Sequence, residues 1–191
     1  MINTTIILGG IILRLVPHLP NFSSISATAL FAGTKLPRRY AFILPLVIAV
    51  VSDYLLLYVN PFAIPILDLS GIKPISAMFH ATTLYVWGSF LLSGLIGLWL
   101  RRHFKASNLV LASLITSLQF FLITNFGVWA AGAYSRGIDG LVTSYAMGLP
   151  FLRWTMLGDL FYSSVFFSIH AFATRTSTKV SPATLKARVQ N

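Results

Sequence analysis

Four stretches of this chain run for about twenty residues with almost nothing that a water-facing surface could use. They are 40–59 (YAFILPLVIAVVSDYLLLYV), 77–100, 107–131 and 154–174, and the third holds no ionisable side chain at all. Crossing the hydrocarbon of a bilayer takes ~20 mostly apolar residues at ~1.5 Å rise each, so each stretch reads as a spanning helix. Residues 1–16 form a shorter fifth candidate, stopped by Pro17 and Pro20. A sixth element, 23–34, covers only ~18 Å at helical rise, too little for a ~30 Å core. It is either a tilted short helix or a segment sheltered inside the bundle. The expected fold class is therefore all-α: a polytopic membrane protein, a bundle of about six transmembrane helices, one of them short or tilted. Residues 1–174 make one domain, and 175–191 make a basic, disordered cytoplasmic tail.

Composition closes off the alternatives. Only 9% of the residues are charged, where a soluble domain carries roughly 25%, and 56% are apolar. A water-soluble globule is excluded, and so is a disordered chain. The net charge of +10 raises nucleic acid as a partner, but the placement of the charges answers otherwise. Turn 35–39 holds Lys35, Arg38 and Arg39; turn 101–105 holds Arg101, Arg102 and Lys105; the tail holds Arg175, Lys179, Lys186 and Arg188. These alternate loops carry ten of the fourteen basic residues and no acid. The other side carries Arg14, Lys73, Arg136 and Arg153 with all four aspartates. Such a split is what the positive-inside rule produces, and it puts both termini in the cytoplasm. No basic helix or aromatic-basic platform is left over for nucleic acid. The N-terminal segment has no Lys or Arg before Arg14 and no small-residue cleavage site, so it reads as a retained helix and not as a secretory signal.

The inventory for chemistry is short. The chain has no cysteine and no glutamate, which leaves Asp53, Asp68, Asp139 and Asp159 as its only carboxylate side chains. There is no GxxxxGK[ST] loop, no GxSxG elbow and no HExxH helix. No cofactor, metal site or catalytic group is expected, and energy for uphill movement must come from a partner or an ion gradient. An ionisable residue within a span costs roughly 2.5–3.5 kcal/mol on insertion scales, so Asp53 and Asp159 call for a reason. Each reads as lying ~9 Å below the outer boundary. Arg14 ends the first helix on that side, Asn125 and Trp129 share one face of 107–131, and His18, Asn21, His80 and Arg153 lie at or near the boundary. The polar groups gather in the outer half. Asp53 and Asp159 are either ion-paired to Arg14 or Arg153, or they line a pocket open outward. Trp87 and Trp129 are belt residues or pocket walls. Small-residue faces, Ser89/Ser93/Gly97 and Ala29/Gly33 among them, suit close helix packing.

Residues 14–33, RLVPHLPNFSSISATALFAG, resemble a family of uncharacterised bacterial integral membrane proteins whose signature runs Arg-x-x-Pro-His-x-Pro-Asn-Phe, then Ala-Leu-Phe-x-Gly. Arg14, Pro17, His18, Pro20, Asn21, Phe22, Ala29, Leu30, Phe31 and Gly33 carry the match. Further similarity lies in Thr124–Trp129, in the Ser52-Asp53 step and in LPFLRWTMLGDLFY, which includes Arg153 and Asp159. That family is similar to the substrate-binding (S) components of energy-coupling-factor (ECF) transporters, including the cobalamin type. The resemblance implies a six-helix protein of a bacterial inner membrane that captures a vitamin or related nutrient from outside. It implies a transmembrane coupling subunit and ATPases as partners acting in trans. Substrate binding would fall to Arg14, His18, Asn21, Asp53, His80, Trp87, Asn125, Trp129, Arg153 and Asp159, and partner docking to Ala29 and Gly33. One departure is the absence of the cysteine that cobalamin-type members can use against cobalt; His80 is the available substitute. The alternative is a non-transporting scaffold or regulatory subunit of an envelope complex, with the same polar residues closed into structural pairs.

Overall fold

The structure, a computed structural model, describes residues 2–16, 19–61, 64 and 66–179. Six α-helices follow one another: α1 (Ile2–Leu15), α2 (Ile25–Lys35), α3 (Tyr40–Leu55), α4 (Thr83–Arg102), α5 (Ala106–Ala130) and α6 (Ile138–Lys179), with a 3₁₀ turn at Ile75–Met78. Three of them, α4, α5 and α6 over Ile138–Thr174, are long and apolar enough to cross a membrane. The chain is an all-α, multi-pass membrane protein by that measure.

The sidedness of α5 shows which solvent the bundle is built for. Ala112, Ser113, Thr116 and Ser117 are buried, while Val110, Leu111, Ile115, Leu118 and Leu122 are exposed. Small polar residues turn inward and large apolar ones outward, the reverse of a water-soluble helix. The same outward belt continues through Leu92 and Leu95 of α4 and Leu157 and Phe161 of α6.

Helix α2 is the centre of the bundle. Every residue from Ile25 to Thr34 is buried, with α3, α4, α5 and α6 around it. Its small residues permit this. A side chain at Gly33 would meet the backbone of Gly94 and Gly97, and one at Gly97 would meet the Leu30 carbonyl. Thr34 Oγ1 donates to the Gly97 carbonyl at 3.1 Å. Arg101 donates Nε–H to the Gly33 carbonyl at 2.9 Å and also reaches the Leu36 carbonyl, so a cation satisfies acceptors at the negative end of α2. Of the two residues expected to receive a coupling subunit, Gly33 meets the backbone of α4 in this chain and Ala29 is fully buried. With no side chain at Gly33 and none at Gly97, the two backbones close over that face.

The helices alternate in direction. The basic turns between α2 and α3 and between α4 and α5 meet at one end, where Lys35 Nζ lies 3.8 Å from the centre of the Phe104 ring. The described residues of the link after α1 and of the 56–82 segment lie at the other, the far end, with the 131–137 turn. One apolar cluster, around Leu30, Leu44, Leu100 and Phe167, closes the basic half, and a second, around Ile25, Ile48 and Phe90, lies above it.

Three boundaries differ from the sequence reading. Helix α3 stops at Leu55, not at 59, because Tyr58 and Asn60 turn their backbones to a returning segment (Asp68 N–H to the Tyr58 carbonyl, 2.8 Å; Asn60 N–H to the Ile66 carbonyl, 2.7 Å). At 16 residues α3 falls short of the length of a full span. Helix α6 begins at Ile138 rather than 154 and runs for 42 residues through Pro150. Its first turns lie antiparallel on α5, with Ser144 Oγ donating to the Asn125 carbonyl (2.7 Å) and Tyr145 OH to the Leu122 carbonyl (3.0 Å). That pairing supplies packing for a stretch whose apolar run is interrupted by Asp139, Gly148, Pro150 and Arg153. Five residues of the expected tail, 175–179, continue the helix, and the rest of the tail lies outside the described residues.

Candidate functional site

Arg14 closes α1 at the far end and reaches across to α3. Its guanidinium donates to Asp53 Oδ1 at 2.5 Å and to Ser52 Oγ at 2.7 Å. Trp87 of α4 donates its indole N–H to Asp53 Oδ2 at 3.0 Å, and its ring packs on Phe79 with centroids 5.7 Å apart. Both oxygens of Asp53 are thus occupied from two different helices. The pair is largely removed from solvent, at 19% and 11% side-chain exposure, so each ion compensates the burial of the other. Three helix ends are locked together by this cluster.

Beside it opens a cavity of about 300 Å³. Arg14, Asn21 and His80 stand on its rim, Val86, Phe90 and Phe120 give it apolar walls, and Ser26, Thr155 and Asp159 line it more deeply. The Phe90 and Phe120 rings stack at 5.6 Å. A second cavity of about 320 Å³ lies between α5 and the start of α6, lined by Asn125, Ser144, Gly148 and Phe151 among others. Asn21, Val86, Phe120 and Thr155 belong to both, so the two are compartments of one cleft. Asn21 stands at the division with a positive φ of 63°, a left-handed conformation that asparagine tolerates better than most residues. The turn it makes is closed by the Phe22 N–H on the Leu19 carbonyl (2.9 Å) and anchored by the Phe22 ring against Phe161 and Tyr162.

Asp159 is 1% exposed and accepts a hydrogen bond from Ser117 Oγ at 2.8 Å. Ser117 sits near the middle of α5, about 13 residues from its far end, or ~19 Å at helical rise. Asp159 therefore lies at mid-depth, not in the outer third. The earlier start of α6 is the reason: the residues before 154 occupy the depth that the sequence reading gave to a loop.

A family model matches residues 1–183, and its description is a family of unknown function, DUF6580. The chain belongs to DUF6580. No curated protein and no solved structure matches it. The family match covers all of the cleft, including the Arg14–Phe22 segment and both faces of the α5–α6 hairpin.

Within this DUF6580 chain, the expected residues separate into groups. Arg14, Asn21, His80, Asn125 and Asp159 line the cleft. Asp53 and Trp87 stand behind Arg14 and hold it in place. Trp129 packs on Phe126 (5.4 Å between centroids) and lines neither cavity. Arg153 is exposed, with its guanidinium 4.9 Å from the Trp154 ring. It cannot share a face with Asp159, since six residues at ~100° each put the two on different sides of α6. His18 lies outside the described residues. Among the described residues, no three His, Cys, Asp or Glu side chains gather as a metal-binding group.

Several lining residues went unnoticed in the sequence. Val86, Phe90 and Phe120 look like any apolar residues of a span, and only the meeting of α4 with α5 sets them opposite one another. Ser117 lines neither cavity but holds Asp159 from α5. Thr155 lies within the LPFLRWTMLGDLFY similarity without a role being expected of it, and Ser26 gives no signal of its own.

Proposed function

We propose that this chain is the membrane-embedded substrate-binding component of an ECF-type uptake transporter of the cytoplasmic membrane. It would take a vitamin or related small nutrient into the cleft at the far end. The observation that supports this most is the cleft itself, a concave space with apolar aromatic walls and a few convergent polar groups, which is the usual make-up of a small-molecule site. It opens at the end opposite the basic turns, and the positive-inside rule makes that end the exterior. In this reading Arg14, Asn21, His80 and Asn125 fix the orientation of the nutrient near the entrance. Phe90 and Phe120 cover its apolar surface, and Asp53 and Trp87 keep Arg14 pointed inward. The basic half beneath is packed shut by Leu30, Leu44, Leu100 and Phe167, so passage to the cytoplasm would depend on a coupling subunit.

A second reading has its own support. Asp53, Arg14 and Trp87 satisfy one another without a ligand, as a scaffold or regulatory subunit of an envelope complex would require. Native mass spectrometry of the protein, extracted gently from its own membrane, separates the two. A retained small molecule and co-extracted coupling and ATPase subunits support uptake. A bare protein, together with unchanged nutrient uptake in a deletion strain, refutes it and favours the scaffold.

A further inference from the structure

Beneath the cleft, the α5–α6 contact contains a set of oxygens whose hydrogen bonding does not close. Ser117 Oγ lies 2.8 Å from Asp159 Oδ2 and 3.0 Å from the Ser113 carbonyl, and its single proton serves one of them at a time. The Thr116 hydroxyl, which donates to the Ser113 carbonyl at 2.7 Å, also stands against the Asp159 carboxyl, so its one proton is shared in the same way. One helical turn closer to the basic end, the antiparallel register that pairs Ser117 with Asp159 sets Ser113 level with Ser163. Both are 1% exposed, and both hydroxyls are without a hydrogen-bond partner among the described residues. Asp159 itself takes part in no ion pair among the described residues. A buried carboxylate without a cation and two orphaned hydroxyls on adjoining turns make an unfavourable combination in hydrocarbon. Each such group carries an uncompensated cost of burial if left unsatisfied.

We propose that Asp159, Ser117, Ser113 and Ser163 form a binding site for a monovalent alkali cation of the size of Na⁺ between α5 and α6. Oxygen is the only donor the site offers, which suits a hard cation and not a transition metal. One carboxylate balances one positive charge, and a divalent ion would leave an uncompensated charge at mid-depth. A proton on Asp159 would neutralise the carboxylate but would give nothing to Ser113 and Ser163, whereas a cation draws on all four side chains. With the ion in place, the Ser117 proton is released to the Ser113 carbonyl, and α5 and α6 are tied together directly below Thr155 and the cleft. The site stands on these contacts whether or not the cleft takes a nutrient.

The test uses the full chain in nanodiscs, with unfolding followed by tryptophan fluorescence while NaCl replaces choline chloride at constant ionic strength. The expected result is a saturable rise in melting temperature, roughly 5–10 °C at Na⁺ a hundredfold above its dissociation constant. Asp159→Asn should abolish the rise, and the Ser113→Ala/Ser163→Ala double variant, which keeps the carboxylate, should weaken Na⁺ at least tenfold. No rise in the native chain overturns the proposal, as does an equal rise with KCl, or a rise left intact in either variant. If Asp159→Asn does not fold, the native titration and the serine double variant decide. No nutrient is used, so failure here leaves the uptake reading where it was.

Discussion

Replacing Gly97 by alanine tests the packing on which the whole bundle turns. The added methyl would stand 2.5 Å from the Leu30 carbonyl oxygen and 3.0 Å from Gly33 Cα. Non-bonded atoms settle at ~3.5–4.0 Å, so α2 and α4 must part by roughly 1 Å. Helix α2 has nowhere to retreat, since every residue from Ile25 to Thr34 is buried. Parting the helices also stretches the Thr34–Gly97 hydrogen bond from 3.1 Å, a loss of about 1 kcal/mol, on top of ~1–3 kcal/mol for overpacking. Alanine is the better helix former by ~1 kcal/mol, which would mask part of the effect. Gly88 on the same helix provides the correction, because a methyl there meets nothing within 4 Å. Gly88→Ala takes the same propensity gain without the clash, so the difference between the variants isolates the close approach at roughly 2–4 kcal/mol. In a protein of this size that corresponds to a gap of roughly 4–16 °C in melting temperature. Tryptophan-fluorescence melts of both variants in the same detergent measure it. A gap below about 2 °C, less than one kcal/mol at this size, would show that α2 and α4 do not touch along Gly33, Gly94 and Gly97.

Other consequences follow from single contacts. Arg101→Ala should destabilise the protein by ~1.5–3 kcal/mol, the usual worth of a charge-assisted hydrogen bond, because it uncovers the Gly33 and Leu36 carbonyls; equal melting of variant and native chain would refute this. In the 56–74 segment, Lys73 Nζ at 2.8 Å and Ser70 hold the Asp68 carboxyl below its ordinary 3.8. A depressed folded-state pKa means that the ion pair supports the fold above pH ~3.8 and ceases to do so as pH falls through the lower, folded value. Carbon-13 titration should place the Asp68 midpoint below 3.8, and Lys73→Met should raise it; a midpoint unmoved by that change contradicts the assignment. Since the chain has no cysteine, single cysteines report sidedness cleanly. In intact cells a membrane-impermeant maleimide should label Ser70→Cys and Ser135→Cys but not Lys105→Cys, and the reverse pattern would invert the topology.

What the sequence made legible was what depends on composition along the chain. The apolar runs and the alternation of basic turns locate the helices and their directions, because bilayer thickness and charge transfer act on each segment separately. A pair of Asp53 with Arg14 was one of the alternatives the sequence left open, as two opposite charges at the same end of their helices. Where a feature depends on two segments meeting, the sequence was silent or misleading. Residues 138–153 fall outside the expected span because Asp139, Gly148, Pro150 and Arg153 interrupt their apolar run, and the shallower depth expected for Asp159 follows from that boundary. Ala29 and Gly33 looked available to a partner because a small-residue face looks the same whichever helix covers it. Phe90 and Phe120 became cavity walls only through the angle at which α4 meets α5.

Helix α2 begins only where the cleft ends, and from there to the basic side it fills the middle of the molecule. The architecture is therefore a cup, not a tube: the upper half is hollow and the lower half is stoppered by eleven residues clasped from below by Arg101. No rotation of a few side chains can turn such a cup into a conduit. In the proposed uptake reading, a molecule held above could pass below only if the stopper is withdrawn from its glycine seat on α4.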